Sequence, residues 1–197
     1  VVGAESPRDA IDVFSVDSRL LDSWGCSFQS DLCGMTPVVN DGSSWQRNNT
    51  LTQNPDASDN WYIALMGIGT SSLETPRLAH SETSPRCLSF YYYINGANPG
   101  ALSVIPRYGS GEPGEAEWTQ GRPQGDEWLS AYVDILFDED VSVIIEGERL
   151  KQSDGIIAID EMNFRYVSCD VYYPTDKPEN ECKSLHSLTN DFTLTHE

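Results

Sequence analysis

"CLSFYYYINGANPGALSVIPR", residues 87–107, decides the fold class because it holds two apolar runs on either side of a turn-forming segment. Successive side chains of a strand point to opposite faces, so alternate residues of the first run share one face. That face carries Leu88, Phe90, Tyr92 and Ile94. The intervening "NGANPG" is rich in residues that favour turns, and its glycines can adopt positive φ. The stretch predicts strands at 87–94 and 101–106 joined as a β-hairpin, with Pro106 ending the second strand.

The same alternation recurs downstream. "WLSAYVDIL" (128–136) and "VSVIIEG" (141–147) predict two strands separated by the polar turn "FDED". "DGIIAIDEMNF" (154–164) predicts a further strand with Ile157 and Ile159 on one face. Its other face is then expected to carry Ile156, Ala158, Asp160, Met162 and Phe164.

Other segments complete the prediction of the fold class. Residues 60–67 and 77–80 are weaker strand candidates, and the Gly-, Pro- and Glu-rich segment 105–127 is predicted to be a long surface connection. No long stretch has the 3.6-residue apolar period of a helix. Short strands separated by Gly, Pro and Asp turns predict an all-β antiparallel sandwich or barrel.

The two ends of the chain differ from its middle in composition. Residues 1–23 are predicted to be an N-terminal flank, either a strand or a linker, and 171–197 a polar C-terminal linker or tail interrupted by proline. The compact domain is therefore expected to span residues 24–170.

The charge balance excludes some classes of partner. The 197 residues include 12 basic and 31 acidic ones, which gives a formal net charge of −19. Nucleic acid and anionic lipid both require a basic surface, so neither is an expected partner. No apolar run approaches the roughly 18 residues of a membrane helix, so this fragment is not expected to insert into a membrane.

The cysteines indicate an oxidising compartment. None of the five lies in a C-x-x-C pair, and the chain has only three histidines, so a disulfide framework is better supported than a zinc site. Asn48-Asn49-Thr50 is an acceptor sequence for N-glycosylation at Asn48. Together these features predict an extracellular location, either secreted or as the ectodomain of a membrane protein.

Seven segments occur in an order that is typical of one known family. They cover residues 24–169 and include a Cys-x-Phe opening, a Trp-x-Arg motif and a closing Ile-Ala-Ile-Asp. The segments are "CSFQSDLCG" (26–34), "SSWQR" (43–47), "NPDAS" (54–58), "LETPRL" (73–78), "CLSFYYYINGANPGALSV" (87–104), "GDEWLSAYVDI" (125–135) and "IIEGERLKQSDGIIAIDEMNF…C" (144–169). In this order they resemble a MAM domain, the extracellular module shared by meprins, neuropilins and adhesion-type receptor tyrosine phosphatases.

The resemblance implies a fold and a function. The fold is a jelly-roll-like sandwich of two antiparallel sheets, and the function is non-catalytic adhesion or oligomerisation of a secreted or cell-surface protein. Its partner would be a protein, with a second copy of the chain among the candidates. The chain carries no His-Glu-x-x-His, Gly-x-Ser-x-Gly or phosphate-loop motif. We therefore expect no enzyme activity, although the domain could be an ancillary part of a larger enzyme or receptor.

The disulfide pairing also follows from the resemblance. Spacing alone leaves three pairings open for four cysteines. The family pattern pairs Cys26 with Cys33 and Cys87 with Cys169. Cys182 is left over in the polar tail, and three interpretations stay open for it: a disulfide between two chains, a partner cysteine in a neighbouring domain, or a free thiol.

A cation site is a further implication of the resemblance. Some MAM domains hold a cation near an opening Glu, and Asp41 and Asp160 are the candidate ligands here for calcium or sodium. Gln29 stands where the family has that Glu, and Ser44 replaces an Asp, although hard cations prefer charged oxygen ligands. A structural hydrogen bond, or an ion pair with an arginine such as Arg47, is the alternative role for Asp160. Asp31, Asp56 and Glu161 are additional acidic candidates.

Glycan binding is the alternative function. Tyr91 and Tyr93 lie on the strand face opposite Phe90, and tyrosine offers contact area together with a hydroxyl group. Core or loop packing is the structural explanation for the same side chains. A concave face lined by aromatic and amide groups would favour a glycan ligand, whereas a partly apolar sheet face would favour a protein.

Overall fold

The structure is a computed structural model that describes residues 20–51, 61–82, 84–150 and 154–172. Nine β-strands and one four-residue helix form in these residues, so the prediction of an all-β sandwich is confirmed. The elements are β1 (Gly25–Cys26), β2 (Thr36–Asn48), β3 (Tyr62–Glu74), β4 (Arg86–Asn95), β5 (Ala101–Tyr108), β6 (Trp118–Gln120), β7 (Leu129–Ile135), β8 (Val141–Arg149), β9 (Ile156–Arg165) and α1 (Cys169–Tyr172). No helix in this described part of the chain is long and apolar enough to cross a membrane.

The strands form two antiparallel layers that share β3. In the front layer β9 pairs with the first half of β3 and with β4, and β4 pairs with β7. In the back layer β8 pairs with the second half of β3 and with β5, and β5 pairs with β6. β2 pairs along the whole of β3, so the β2–β3 ribbon passes from one layer to the other.

Glycines allow this ribbon to bend between the layers. The register of β2 against β3 shifts around Asp41, Gly42 and Ser43. Gly42 and Gly69 have φ of 78° and 123°, which disfavour any residue with a Cβ. A Cβ at Gly69 would also overlap the carbonyl oxygen of Asp41. The close approach of the two backbones at the bend therefore requires glycine.

The core lies between the two layers. Alternate residues of the long strands point into it, as the period of two predicts, except where irregularities in β2 and β9 interrupt the alternation. A second, smaller apolar cluster lies on the outer side of the front layer, where Tyr62, Tyr93 and Trp128 pack together. The fully buried side chains of the main core include Phe28, Ile63, Leu65, Leu78, Leu88, Ile94, Leu102, Ile135, Phe137, Ile145 and Ile157.

The predicted hairpin of residues 87–106 is wrong, although both of its strands exist. β4 pairs with β7 and β9, whereas β5 pairs with β6 and β8. The turn at 96–100 therefore connects the two layers across the core instead of joining neighbours in one sheet. Both strands bury an apolar face, and that pattern is the same for a hairpin and for a connection between layers.

Pro106 does not end its strand, and segment 105–127 is not only a surface connection. β5 continues to Tyr108, with Pro106 opposite Val143. The carbonyl of Pro106 accepts a hydrogen bond from Gly114 N–H (2.8 Å), so the side of Pro106 that lacks an N–H faces away from β8. The strand β6 also lies within the predicted connection.

A bulge in β9 corrects the predicted faces of that strand. Opposite β4 the register shifts between Ser89 and Tyr91, and Glu161 has a φ of 50°. Because the bulge adds one residue, Met162 and Phe164 return to the core face with Ile157 and Ile159. The alternation alone had assigned them to the opposite face.

Residues 20–24 of the chain pack on the body. Leu21 forms a parallel bridge with Leu78, and Arg86 donates a hydrogen bond to the Asp22 carbonyl (2.8 Å). The Arg86 guanidinium lies over the rings of Phe137 and Tyr166. The domain boundaries at residues 24 and 170 remain a prediction, and most of the predicted flanks (1–19 and 173–197) lies outside the described residues.

Candidate interaction surfaces

The loop closed by the Cys26–Cys33 disulfide covers one end of the core. The Cα atoms of these cysteines are 5.7 Å apart. Phe28 turns its side chain into the core from a φ of 57° and is fully buried. Arg47 holds the loop through hydrogen bonds from its guanidinium to the carbonyls of Phe28 (2.7 Å) and Gln29, and it lies 4.3 Å from the centroid of the Trp61 ring.

The Cys87–Cys169 disulfide joins β4 to the first residue of α1. Its Cα atoms are 4.7 Å apart, and both cysteines are buried. Cys87 N–H donates to the Val167 carbonyl (2.9 Å), and Cys169 N–H donates to the Asp134 carboxylate (2.7 Å). The disulfide thus ties the start of β4 to the segment that follows β9. Cys182 lies outside the described residues, so its three interpretations stay open.

Asn48, the predicted glycosylation site, ends β2 on the rim of the front layer. Its Oδ1 accepts hydrogen bonds from the N–H groups of Asn49 (2.7 Å) and Thr50 (3.0 Å). Thr50 N–H also lies 3.2 Å from the hydroxyl of Tyr62. Asn49 and Thr50 are exposed and Asn48 is half-buried. Glycosylation at Asn48 remains a prediction.

The structure separates the two predicted cation ligands. Asp41 is exposed and pairs with Thr70, whereas Asp160 follows Ile159, which pairs with Ile63. In this register Asp160 lies opposite Tyr62, which is eight positions from Thr70 along β3, or roughly 26 Å of strand. The two carboxylates therefore do not share one site. Among the described residues no group of three or more His, Cys, Asp or Glu side chains is arranged to hold a metal ion.

Asp160 lies on the outer side of β9 but is only 1% exposed. Its carboxylate accepts a hydrogen bond from Glu161 N–H (2.8 Å). A buried carboxylate needs such partners because desolvation is costly. Arg47, one predicted partner, directs its guanidinium to the carbonyls of residues 28 and 29. Arg47 is thus not the partner that holds Asp160 in place. Cation binding at either aspartate remains a prediction.

A polar groove runs over the outer side of β4, β7 and β9. It encloses about 320 Å³. Ser89 pairs with both Tyr132 and Asn163, and Tyr91 pairs with Ser130, so these side chains share the outer face. Arg165 Nε lies 3.4 Å from the Ser89 hydroxyl, within a loose hydrogen bond. The groove is lined by Ser89, Phe90, Tyr91, Ser130, Tyr132, Glu161, Asn163 and Arg165.

Trp128 covers the sheet face at one end of this groove. Its ring packs against Tyr62 and Tyr93 at centroid distances of 5.6 and 5.7 Å. The Tyr93 hydroxyl donates a 2.5 Å hydrogen bond to Asp126, which fixes the segment that leads to Trp128. Burial, followed by this hydrogen bond, raises the pKa of Tyr93 above its ordinary value of 10.0.

A strip of exposed apolar side chains lies on the β2–β3 ribbon. Met66 and Ile68 are 40% and 46% exposed and point outward from β3, because Leu65 and Leu73 on the alternate positions face the core. Arg149 pairs with Gly69, which brings Leu150 beside Ile68. Val38 and Val39 lie further along the same ribbon, where Val39 pairs with Ser72. We define the apolar strip as Val38, Val39, Met66, Ile68 and Leu150.

The family is decided by the match to known sequences. The sequence model of the family described as "MAM domain, meprin/A5/mu" matches residues 26–170 of the chain. This chain belongs to the MAM domain family. The match includes both disulfides, the whole groove and all nine strands except Gly25. The family and its disulfide-bonded domain place the chain outside the cell.

Its relatives are longer proteins. The chain is 28% identical over 174 residues to MAM domain-containing glycosylphosphatidylinositol anchor protein 1 of Homo sapiens, over 78% of this chain and 18% of the relative. It is 26% identical over 165 residues to nephronectin of Mus musculus, over 79% of this chain and 28% of the relative. The chain thus spans about a fifth to somewhat more than a quarter of the length of these relatives. It is an interaction module of the MAM family.

Solved structures share the fold of this MAM domain. The K1 cleaved adhesin domain of Lys-gingipain from Porphyromonas gingivalis W83 superposes with a TM-score of 0.54 at 16% identity, over 73% of this chain and 97% of that domain. The CBM22-1 xylan-binding domain from Paenibacillus barcinonensis Xyn10C gives 0.54 at 14% identity, over 76% and 97%. At these identities the likeness shows the β-sandwich fold alone.

Sequence reasoning missed most of the two surfaces of this MAM domain. Strand β2 was not predicted, because "TPVVNDGSSWQRN" mixes turn formers with apolar residues and its register shifts break the alternation. Glu161 was named only as a candidate cation ligand. The period of two does predict that Tyr91 and Ser89 share a face, but only the pairing of β4 with β7 and β9 brings Tyr132 and Asn163 beside them.

Proposed function

We propose that this MAM domain mediates adhesion or oligomerisation by self-association through its apolar strip, without a catalytic step. The observation that carries the proposal is the strip itself: five large apolar side chains, each 38–48% exposed, on adjoining strands. Met66, Ile68 and Leu150 are neighbours within it, and exposed apolar surface of this kind is characteristic of protein contact sites. A second copy of the chain can place the same strip against it about a two-fold axis.

The contact would use side chains and not added backbone pairing. Among the described elements β2 pairs only with β3, so its other edge is open. Register shifts at Pro37/Val39 and at Asp41–Ser43 interrupt this edge. Such irregularities hinder the addition of a further strand. The outward faces of Met66 and Ile68 then provide the contact area.

A strip of this size supports weak association. Stable interfaces bury about 1,200–2,000 Å² in total, and five side chains contribute less than that. Weak contacts suffice for adhesion when many copies are presented together, because linked contacts add through effective concentration. We therefore expect a dimer that forms at high protein concentration.

Charge opposes the association and gives it a distinctive salt dependence. The chain has a formal net charge of −19, and Glu148 pairs with Thr70 beside the strip. Two copies would bring these charges together at a cost that salt screens. Self-association driven by the apolar strip should therefore strengthen as the salt concentration rises.

Sedimentation velocity over a range of protein and salt concentrations tests the proposal. Met66→Gln with Ile68→Thr removes apolar surface from the strip without changing the net charge. Leu136→Gln with Val171→Thr is the matched control, because those side chains are 50% and 75% exposed elsewhere. We expect the strip variant to sediment as a monomer where the wild type and the control form dimers.

Two results would contradict the proposal. The first is a wild-type chain that remains monomeric at every salt concentration, which would favour a different protein as partner. The second is an equal loss of dimer in the strip variant and in the control. Bead aggregation with the same three proteins extends the test to adhesion between surfaces.

A further inference from the structure

The groove on the outer side of β4, β7 and β9 is separate from the apolar strip and has a different chemistry. Tyr91 and Tyr132 are diagonal neighbours, because Tyr91 pairs with Ser130 and Tyr132 lies two residues further along β7. Diagonal positions on neighbouring strands are about 7–8 Å apart. Two half-buried aromatic rings therefore line one short stretch of the groove.

The bulge in β9 adds a carboxylate to the same surface. Asp160 precedes the bulge on the outer side, and Met162 after it lies in the core. Glu161, at a φ of 50°, lines the groove from the extra position. In a regular strand the residue after Asp160 would point into the core. The bulge thus turns the side chain of Glu161 away from the core and onto the groove.

The lining groups match the two kinds of surface on a sugar ring. A pyranose has an apolar C–H face that packs on aromatic rings and a rim of hydroxyl groups. A carboxylate offers two acceptor oxygens to adjacent hydroxyls. An amide offers an acceptor oxygen and a donor NH₂ group, and a guanidinium offers several donors. Glu161, Asn163 and Arg165 supply one of each type beside the tyrosines. The volume of about 320 Å³ falls at the lower end of the range for small-ligand sites.

Charge selects among sugars. Within the groove Glu161 offsets Arg165, and the chain as a whole carries a formal charge of −19. An acidic chain repels sulfated, phosphorylated and other anionic polysaccharides. A neutral oligosaccharide meets no such penalty.

The groove is held in shape by the sheet beneath it and by Trp128 at its end. β4 pairs with β7 on one side and with β9 on the other, so the lining side chains of all three strands have fixed spacing. Trp128 packs on Tyr62 and Tyr93, and its Nε1 is buried without a hydrogen-bond partner. A site that is already formed loses less free energy on ordering when a ligand binds.

We propose that this groove binds a neutral oligosaccharide, with Tyr91 and Tyr132 packing on sugar rings and Glu161, Asn163 and Arg165 pairing with hydroxyl groups. The contact is independent of the self-association proposed for the apolar strip. A MAM domain with both surfaces would bind a neutral glycan and a second copy at the same time.

Affinity electrophoresis of the full chain in gels that contain xylan, glucomannan, galactan or heparin tests the proposal. We expect retardation by at least one of the three neutral polysaccharides and none by heparin. Titration with oligomers of the polysaccharide that retards most then gives the affinity. Tyr91→Ala and Tyr132→Ala should each weaken it at least tenfold, which corresponds to about 1.4 kcal/mol.

Matched variants separate loss of the site from loss of the fold. Tyr132→Phe keeps the ring and should retain most of the affinity, and Glu161→Gln keeps the size of the side chain and should weaken binding less than loss of a ring. Met66→Gln with Ile68→Thr should bind the glycan as the wild type does. Retardation by none of the neutral polysaccharides, stronger retardation by heparin, or unchanged binding by both alanine variants would overturn the proposal.

Discussion

The Cys87–Cys169 and Cys26–Cys33 disulfides connect residues with sequence separations of 82 and 7. The first joins the start of β4 to the segment after the last strand, so it spans most of the sandwich. The second closes a loop at one end of the core. In the chain-entropy model the stabilisation grows with loop length, to about 4.5 kcal/mol for the first and about 2.5 kcal/mol for the second.

The two regions also differ in the contacts that stabilise them in addition to their disulfides. The short loop is fixed by Arg47, by the buried side chain of Phe28 and by a hydrogen bond from Trp24 Nε1 to the Cys33 carbonyl (2.8 Å). Around Cys169 the helix has only four residues, and its first N–H is bound by Asp134. The long connection therefore depends more on its disulfide than the short one does.

Cys87→Ala with Cys169→Ala should give the largest loss of stability. Without the disulfide the unfolded chain regains the freedom of the long loop, and two buried sulfur atoms leave the junction of β4 and α1. We expect the free energy of unfolding to fall by about 4–5 kcal/mol. Denaturant unfolding under oxidising conditions measures it, and a loss no greater than that of the short-loop variant would contradict the comparison.

Cys26→Ala with Cys33→Ala should cost less than loss of the long disulfide, because the shorter loop constrains the unfolded chain less. Arg47 and Phe28 keep the loop in place in the folded state, so we expect a loss of no more than about 2.5 kcal/mol. The core should stay intact, which near-ultraviolet circular dichroism would show through an unchanged tryptophan signal. Loss of that signal, or complete unfolding, would mean that the short loop also organises the core.

Arg47→Met should show how far the short loop depends on contacts other than its disulfide. The substitution keeps most of the aliphatic stem but removes the charged hydrogen bonds to the carbonyls of Phe28 and Gln29. We expect a loss of about 1–2 kcal/mol. Arg122→Met is the control, because it removes the same charge at an exposed position.

A double-mutant cycle sharpens this expectation. If Arg47 and the Cys26–Cys33 disulfide both hold the loop, Arg47→Met should cost more in the background that lacks this disulfide than in the wild type. Strictly additive losses would show that the arginine and the disulfide act independently.

Local sequence pattern predicted the strands of this domain better than their pairing. Tyr92 and Ile94 face the core as alternation requires, yet β4 and β5 lie in different layers. Pairing depends on which distant strand forms hydrogen bonds with each edge of a given strand. The apolar pattern of a strand is the same whichever strand lies beside it. The bulge at Glu161 escaped prediction because one inserted residue reverses all later faces without any mark in composition.

The candidate surfaces were less predictable than the fold. The groove combines residues of β4, β7 and β9 that lie up to 76 positions apart in the sequence, as the hydrogen bond between Ser89 and Arg165 illustrates. The apolar strip is defined by which apolar side chains of β3 are exposed, and the sequence does not show this. Leu65 and Met66 are adjacent and similar in hydrophobicity, but they are 1% and 40% exposed.

Tyr93→Phe should give the smallest effect, and one that appears only at high pH. Tyr93 lies on β4, the strand that the long disulfide ties, and its pKa is raised above 10.0 first by burial and then by the hydrogen bond to Asp126. The folded chain therefore keeps the phenol proton at a pH where the unfolded chain loses it, so stability falls as the pH rises above about 10. Below that pH the proton is bound in both states.

The free energy of unfolding, measured from neutral pH to about pH 11, should fall less steeply above pH 10 for Tyr93→Phe than for the wild type. Tyr108 is the internal comparison, because burial and then the negative charge of Glu117 raise its pKa as well. Tyr108→Phe should therefore flatten the same part of the curve, and the double variant should flatten it further. Parallel curves for Tyr93→Phe and the wild type would show that neither burial nor the bond to Asp126 raises the pKa of Tyr93 in solution.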